Sequence, residues 1–115
     1  PLDHGWRIDG DQLDLTPLLA ALADESNPGR GAAIFHATLA AALTDWVRLH
    51  AEPGSKVLGG GGCFLNQVLV RGLRSRLATQ GLHLVEAQKL PPNDGGLSLG
   101  QAWVAMNTLL DNEDD

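Results

Sequence analysis

Lys56-Val57-Leu58-Gly59-Gly60-Gly61-Gly62-Cys63-Phe64-Leu65-Asn66 sets the topology of this chain. Val57 and Leu58 open a short apolar strand that runs straight into four consecutive glycines. Downstream, Leu65, Leu69, Leu73 and Leu77 recur at helical spacing, which predicts a helix to about Gln80 closed by Gly81. Leu82, Leu84 and Val85 then supply a second strand. Strand, glycine turn, helix, strand is one βαβ unit, whose crossover should be right-handed and whose strands should pair in parallel.

The remaining segments arrange themselves around that unit. In residues 5–15, Trp6, Ile8, Leu13 and Leu15 alternate with polar neighbours, and Asp9-Gly10 supplies turn chemistry. A β-hairpin with a four-residue loop is expected, with Ile8 facing Leu13 and Trp6 facing Leu15. Thr16-Pro17 reads as a hydroxyl N-cap followed by proline at the first helical position. That helix carries Leu18, Leu19 and Leu22 and ends near the Asn27-Pro28-Gly29 breaker. A longer helix is expected from about Gly31 to His50, with Phe35, Leu39, Ala42, Trp46 and Leu49 as its apolar stripe. After the stiff loop Pro91-Pro92-Asn93-Asp94-Gly95-Gly96, a last helix carries Leu99, Trp103, Met106 and Leu110. Residues 1–110 thus form a single α/β lobe, a small sheet with a hairpin and a βαβ unit packed by three to four helices, and the acidic tail 111–115 is expected to be disordered.

Composition narrows the function. The 115 residues carry 8 Lys plus Arg against 14 Asp plus Glu, a formal charge of −6, which argues against a nucleic-acid groove. A hydrophobic share of 43% supports a packed core and excludes wholesale disorder. The single cysteine, Cys63, excludes a disulfide framework and cannot alone build a structural zinc site. No stretch has the length of a membrane span or the look of a signal peptide, so a cytoplasmic location is expected. Fourteen glycines are about twice the ordinary share, and their clustering at the edges of regular elements points to close approach of a ligand.

Two loops are candidates for chemistry. In Gly59 to Gly62, glycines at the carboxyl end of a parallel strand let the backbone approach a phosphate, ribose or purine, while free amides of the next helix point at what binds there. Asn66, read as one turn into that helix, offers both a donor and an acceptor. The pattern matches neither the dinucleotide fingerprint nor a P-loop, and a ligand-free strand-to-helix turn is the bland alternative. Asp94 reads either as a cap of the last helix or as a metal ligand on a proline-stiffened loop. Cys63 is more naturally a small hydrophobe than a nucleophile. His36 and His50 lie on the long helix, where His36 reads as a packed, hydrogen-bonded side chain; His4 and His83 lack partners at metal-ligand spacing. Arg71, Arg74 and Arg76 form a basic, solvated helix face.

Taken together, Gly60-Gly61-Gly62-Cys63-Phe64-Leu65-Asn66 and Pro91-Pro92-Asn93-Asp94-Gly95-Gly96-Leu97-Ser98-Leu99-Gly100-Gln101-Ala102 resemble the C-terminal end of HypF, the carbamoyltransferase family of nickel–iron hydrogenase maturation. Leu13-Asp14-Leu15-Thr16-Pro17-Leu18-Leu19 and Phe35-His36-Ala37-Thr38-Leu39-Ala40 are similar to that family as well, so the likeness covers nearly the whole chain. A more distant likeness is to the tRNA threonylcarbamoyl transferases of the TsaD type. Both belong to the actin-like ATPase (ASKHA) superfamily, whose two lobes clasp a nucleotide.

The resemblance implies a carbamoyltransferase that makes carbamoyl-adenylate from carbamoyl phosphate and ATP. The carbamoyl group then passes to the C-terminal cysteine of the partner protein HypE, for synthesis of the hydrogenase cyanide ligands. By position, Gly60, Gly61, Gly62 and Asn66 would hold the nucleotide, and Asp94 would be one ligand of a divalent metal ion (zinc, iron or magnesium). The family's other metal ligands are histidines of an HxxxH stretch, which this sequence does not contain, so the metal site is expected to be incomplete. The chain reads as one lobe of a larger protein, inactive alone, with no catalytic residue of its own. Its expected partners are HypE and the remaining HypF domains, with no nucleic acid, no membrane and possible self-association. The rival readings are a TsaD-like lobe and a non-catalytic interaction domain. The enzymatic reading requires the two loops to meet.

Overall fold

The computed structural model describes residues 1–113. A hairpin of β1 (Arg7–Asp9) and β2 (Gln12–Asp14) leads into helices α1 (Thr16–Ala23) and α2 (Pro28–His50). Strand β3 (Lys56–Gly59), a 3-10 turn (Gly62–Leu65), helix α3 (Gln67–Thr79) and strand β4 (His83–Glu86) follow. A second 3-10 turn (Asp94–Gly96) opens helix α4 (Leu97–Glu113). Of the acidic tail, 111–113 continue α4 and 114–115 lie outside the described residues.

The βαβ unit is present, and β3 and β4 pair in parallel with Val57 opposite Leu84 and Leu58 opposite Val85. Alternation along the strands sends Val57 and Leu84 to one face, onto the buried cluster of Leu73, Leu77 and Leu82. Leu43 and Val47 of α2 close that cluster from the far side. The opposite face is bare: Leu58 is 81% exposed and Val85 38%. A two-stranded sheet is marginal in water by itself. Here α3 and α2 hold it from one side only.

The α2–α3 contact rests on small side chains. Buried along α2 are Thr38, Ala40, Ala41, Ala42 and Thr44; of the predicted stripe only Ala42 is fully buried, Phe35, Leu39 and Trp46 are half-buried, and Leu49 is 56% exposed. A Cβ placed on Gly72 of α3 would lie 3.4 Å from the Ala40 Cβ, so the helices approach to van der Waals contact. Periodicity of large residues misses such an interface because close helix packing selects alanine and glycine. The two buried threonines are satisfied: Thr38 Oγ1 accepts from the Leu2 amide at 2.8 Å, and the Thr44 hydroxyl donates to the Ala40 carbonyl at 2.7 Å.

Several local boundaries differ from expectation, each for a stated reason. The hairpin keeps the predicted register, Ile8 opposite Leu13, but Asp9 and Gln12 also pair and the turn is Gly10-Asp11, with Gly10 at φ +60°. Thr16 does not cap α1 through its hydroxyl. Its amide instead donates to Asp14 Oδ1 at 2.8 Å, and Asp14 also takes the Arg7 guanidinium at 2.9 Å. Asn27-Pro28 begins α2 rather than ending α1: Asn27 Oδ1 accepts from the Arg30 amide at 3.0 Å, and Pro28 sits where no amide donor is missed. The same residues that break one helix start the next. Trp46 anchors α2 to the hairpin turn, its indole N–H donating to the Asp11 carbonyl at 2.8 Å.

Candidate functional site

The two glycine loops meet. The Gly61 amide donates to the Pro92 carbonyl, joining the turn after β3 to the loop before α4. Between them lies an open cleft of about 370 Å³, lined on one side by Gly59 and Gly60 and on the other by Pro91, Asn93, Asp94 and Gly96. Parallel pairing of β3 with β4 brings this about, because both strands end at the same edge and each feeds its loop outward there.

The glycine turn is shaped by two requirements. A Cβ on Gly59 would overlap the Phe64 ring, which folds back under the strand end and packs on the core cluster. Gly61 has φ +95° and ψ 167°, a conformation essentially closed to L side chains. The amides of Gly60 and Gly62 make no backbone hydrogen bond among the described residues. Two free N–H groups therefore flank the Gly61–Pro92 link. Gly60 lines the cleft; Gly62 starts the 3-10 turn and does not.

Asn66 lies elsewhere than expected. It is the N-cap of α3, not a residue one turn inside it, because the 3-10 turn takes up Leu65. Its Oδ1 accepts from the Val68 and Leu69 amides at 3.0 and 3.2 Å, and its Nδ2 stands 2.8 Å from His36 Nε2. The acceptor is thus fully used, and Asn66 does not line the cleft. Sequence reading singled out Asn66 and treated His36 as a packed residue; no spacing rule links residues 36 and 66. The signal that could have found the pair is the Asn at a helix N-terminus, whose second polar atom needs a partner.

Asp94 stands at the cleft as the first residue of the second 3-10 turn, and its carboxylate makes no hydrogen bond or ion pair among the described residues. Capping falls instead to Asn93, whose Oδ1 accepts from the Gly95 amide at 3.1 Å. Among the described residues no group of three His, Cys, Asp or Glu could hold a metal. Divalent ions need four to six or more ligands, so the residues present do not make a metal centre. Cys63 is exposed, contrary to the small-hydrophobe expectation, since the 3-10 turn points it outward from the strand end. Of the three arginines on α3, Arg74 is paired with Glu86 of β4.

The family model for the second subdomain of the carbamoyltransferase Kae1-like domain of HypF matches residues 2–101. The chain belongs to the HypF carbamoyltransferase family. It is 55% identical over 108 residues to carbamoyltransferase HypF2 of Cupriavidus necator, covering 91% of this chain and 13% of that protein. To carbamoyltransferase HypF of Rhizobium leguminosarum bv. viciae it is 40% identical over 113 residues, covering 95% of this chain and 15% of that protein. A HypF homolog of Cupriavidus necator shares 46% over 101 residues, 81% of this chain and 26% of its own length. The chain thus spans about an eighth to a quarter of the curated HypF relatives it matches. No solved structure matches it significantly. The α/β arrangement of hairpin, parallel strand pair and four helices is that of a Kae1-like subdomain. No helix among the described residues is long and apolar enough to cross a membrane.

Proposed function

We propose that this chain is the nucleotide-holding subdomain of a HypF-type carbamoyltransferase, acting in nickel–iron hydrogenase maturation as part of a larger polypeptide. The reaction it serves makes carbamoyl-adenylate from carbamoyl phosphate and ATP. The thiolate of the HypE C-terminal cysteine then attacks the carbamoyl carbon, the bond to the adenylate phosphate oxygen breaks, and AMP leaves as the thiocarbamate forms. A mixed anhydride already carries a good leaving group, so the protein has mainly to position and to stabilise charge. The observation that carries this reading is the Gly61–Pro92 hydrogen bond, which closes the two family motifs around one cleft.

In this reading the free amides of Gly60 and Gly62 donate to phosphate or ribose oxygens, and Gly61 keeps the turn in the conformation that exposes them. Asn66, outside the cleft lining, offers its one remaining Nδ2–H to a part of the ligand that reaches past the 3-10 turn. Asp94 is the single ligand the chain would lend to a divalent ion completed by other parts of the protein. The acceptor thiolate comes from HypE, so the subdomain supplies no nucleophile and turns over nothing alone.

Titrating the isotopically labelled chain with ATP tests the reading directly. Amide shifts should concentrate in Gly59–Asn66 and Asn93–Gly96; saturable shifts centred on another surface would refute it. In the full-length protein, Asp94→Ala should abolish carbamoyl transfer and lower the metal content. Undiminished transfer would remove Asp94 from the site.

A further inference from the structure

The contact between His36 and Asn66 admits a single protonation pattern. His36 Nδ1 lies 2.7 Å from the Ala32 carbonyl, which can only accept, so Nδ1 carries the proton. Nε2 lies 2.8 Å from Asn66 Nδ2, which can only donate, so Nε2 is bare. The orientation of the Asn66 amide is set independently, because its oxygen takes the Val68 and Leu69 amides. Flipping that amide would oppose donors to donors at the helix start. A ring bearing its proton on Nε2 would oppose the Asn66 N–H.

The backbone makes the contact possible. Ala40 meets Gly72, and His36 meets Asn66, so α2 and α3 run in the same sense and their N-terminal ends lie side by side. His36 is one turn before Ala40, half-buried at that end. Asn66 is the joint of the site: its amide closes the 3-10 turn on the Cys63 carbonyl at 3.1 Å, and its side chain opens α3. Whatever fixes Asn66 fixes the exit of the glycine loop.

We propose that His36, as the Nδ1–H tautomer, is a positioning residue for the glycine loop: its bare Nε2 takes one Nδ2–H of Asn66 and adds a third fixed contact to an amide whose oxygen already holds the start of α3, so that the other Nδ2–H keeps one direction. The role in nucleotide binding rests on the functional reading above; the locking itself does not.

Two measurements separate these. In the 115-residue chain labelled with nitrogen-15, the His36 ring should show the Nδ1–H tautomer, with a scalar coupling from Nε2 to Asn66 Nδ2 that Asn66→Asp removes. A ring in the Nε2–H tautomer, or one with no coupling, would overturn the proposal. In the full-length carbamoyltransferase, His36→Leu should raise KM for ATP about five- to tenfold, the size of one lost hydrogen bond, with kcat little changed. His36→Gln, which keeps an acceptor, should restore most of that loss. Equal defects in the two variants would mean that His36 only fills space, and would also overturn it. If the tautomer and coupling are found but ATP perturbs no loop resonance, the nucleotide reading fails while the lock stands, with His36→Leu then shifting the amides of Cys63–Leu69 and His36→Gln sparing them.

Discussion

Gly61 and Gly60 are neighbours in one glycine run, yet their backbones set opposite expectations. Gly61 sits at φ +95° with open space where a Cβ would go, so the obstacle to a side chain is conformational and not steric crowding. Gly61→Ala should therefore cost about 1–3 kcal/mol in urea unfolding of the chain. Gly60→Ala, with no neighbour within 4 Å and no left-handed φ, should stay within about 0.5 kcal/mol. Equal losses at the two positions would show that the loop relaxes instead of holding its turn. Composition made the glycine run conspicuous, but four identical letters could not say which glycine is obligatory. Asn93 and Asp94 repeat the point: the sequence left capping and ligation open for Asp94, and the cap went to the residue before it.

At the level of elements, polar side chains beside prolines decided the boundaries. Asp14 is held below the ordinary aspartate range, first by hydrogen bonding from the Thr16 hydroxyl, then by the Thr16 amide and by Arg7. A carboxylate with a lowered folded-state pKa stabilises fully above its unfolded value and loses that contribution as pH falls through the folded one. The junction of β2 and α1 should loosen as the pH is taken below the ordinary aspartate range, read from amide exchange at Thr16–Leu19, and Asp14→Asn should flatten that dependence. An unaltered pH response in the variant would show that Asp14 does not govern the junction. The hairpin register and the βαβ unit were legible because alternation and turn residues are local signals. The alanine face of α2 was not, because which side of a helix is buried depends on what arrives from thirty residues away.

For the molecule as a whole, α4 is the element whose apolar side chains lie open to solvent. The extents are 61 × 29 × 23 Å and the radius of gyration 17.8 Å, against about 13 Å for a compact chain of 100 residues. From Leu97 to Leu110 the helix carries no charged residue, and Leu97, Leu99, Trp103, Val104, Met106, Leu109 and Leu110 are all at least 49% exposed. The sequence raises possible self-association but cannot place the exposed patch on α4, since an apolar stripe announces burial without naming the partner. A helix of that composition is stable in water only when something covers it. For the chain on its own, the available cover is another copy. Light scattering should show concentration-dependent association of the 115-residue chain. Trp103→Glu with Met106→Glu should return it to a monomer with its far-ultraviolet circular dichroism preserved. In full-length HypF-type protein the rest of the polypeptide competes for the same side chains, so the double substitution should destabilise that protein rather than change its oligomeric state. A wild-type chain that stays monomeric at every concentration would mean that α4 is covered from within, and the bare Leu58–Val85 face of the sheet is the surface in this chain left to receive it.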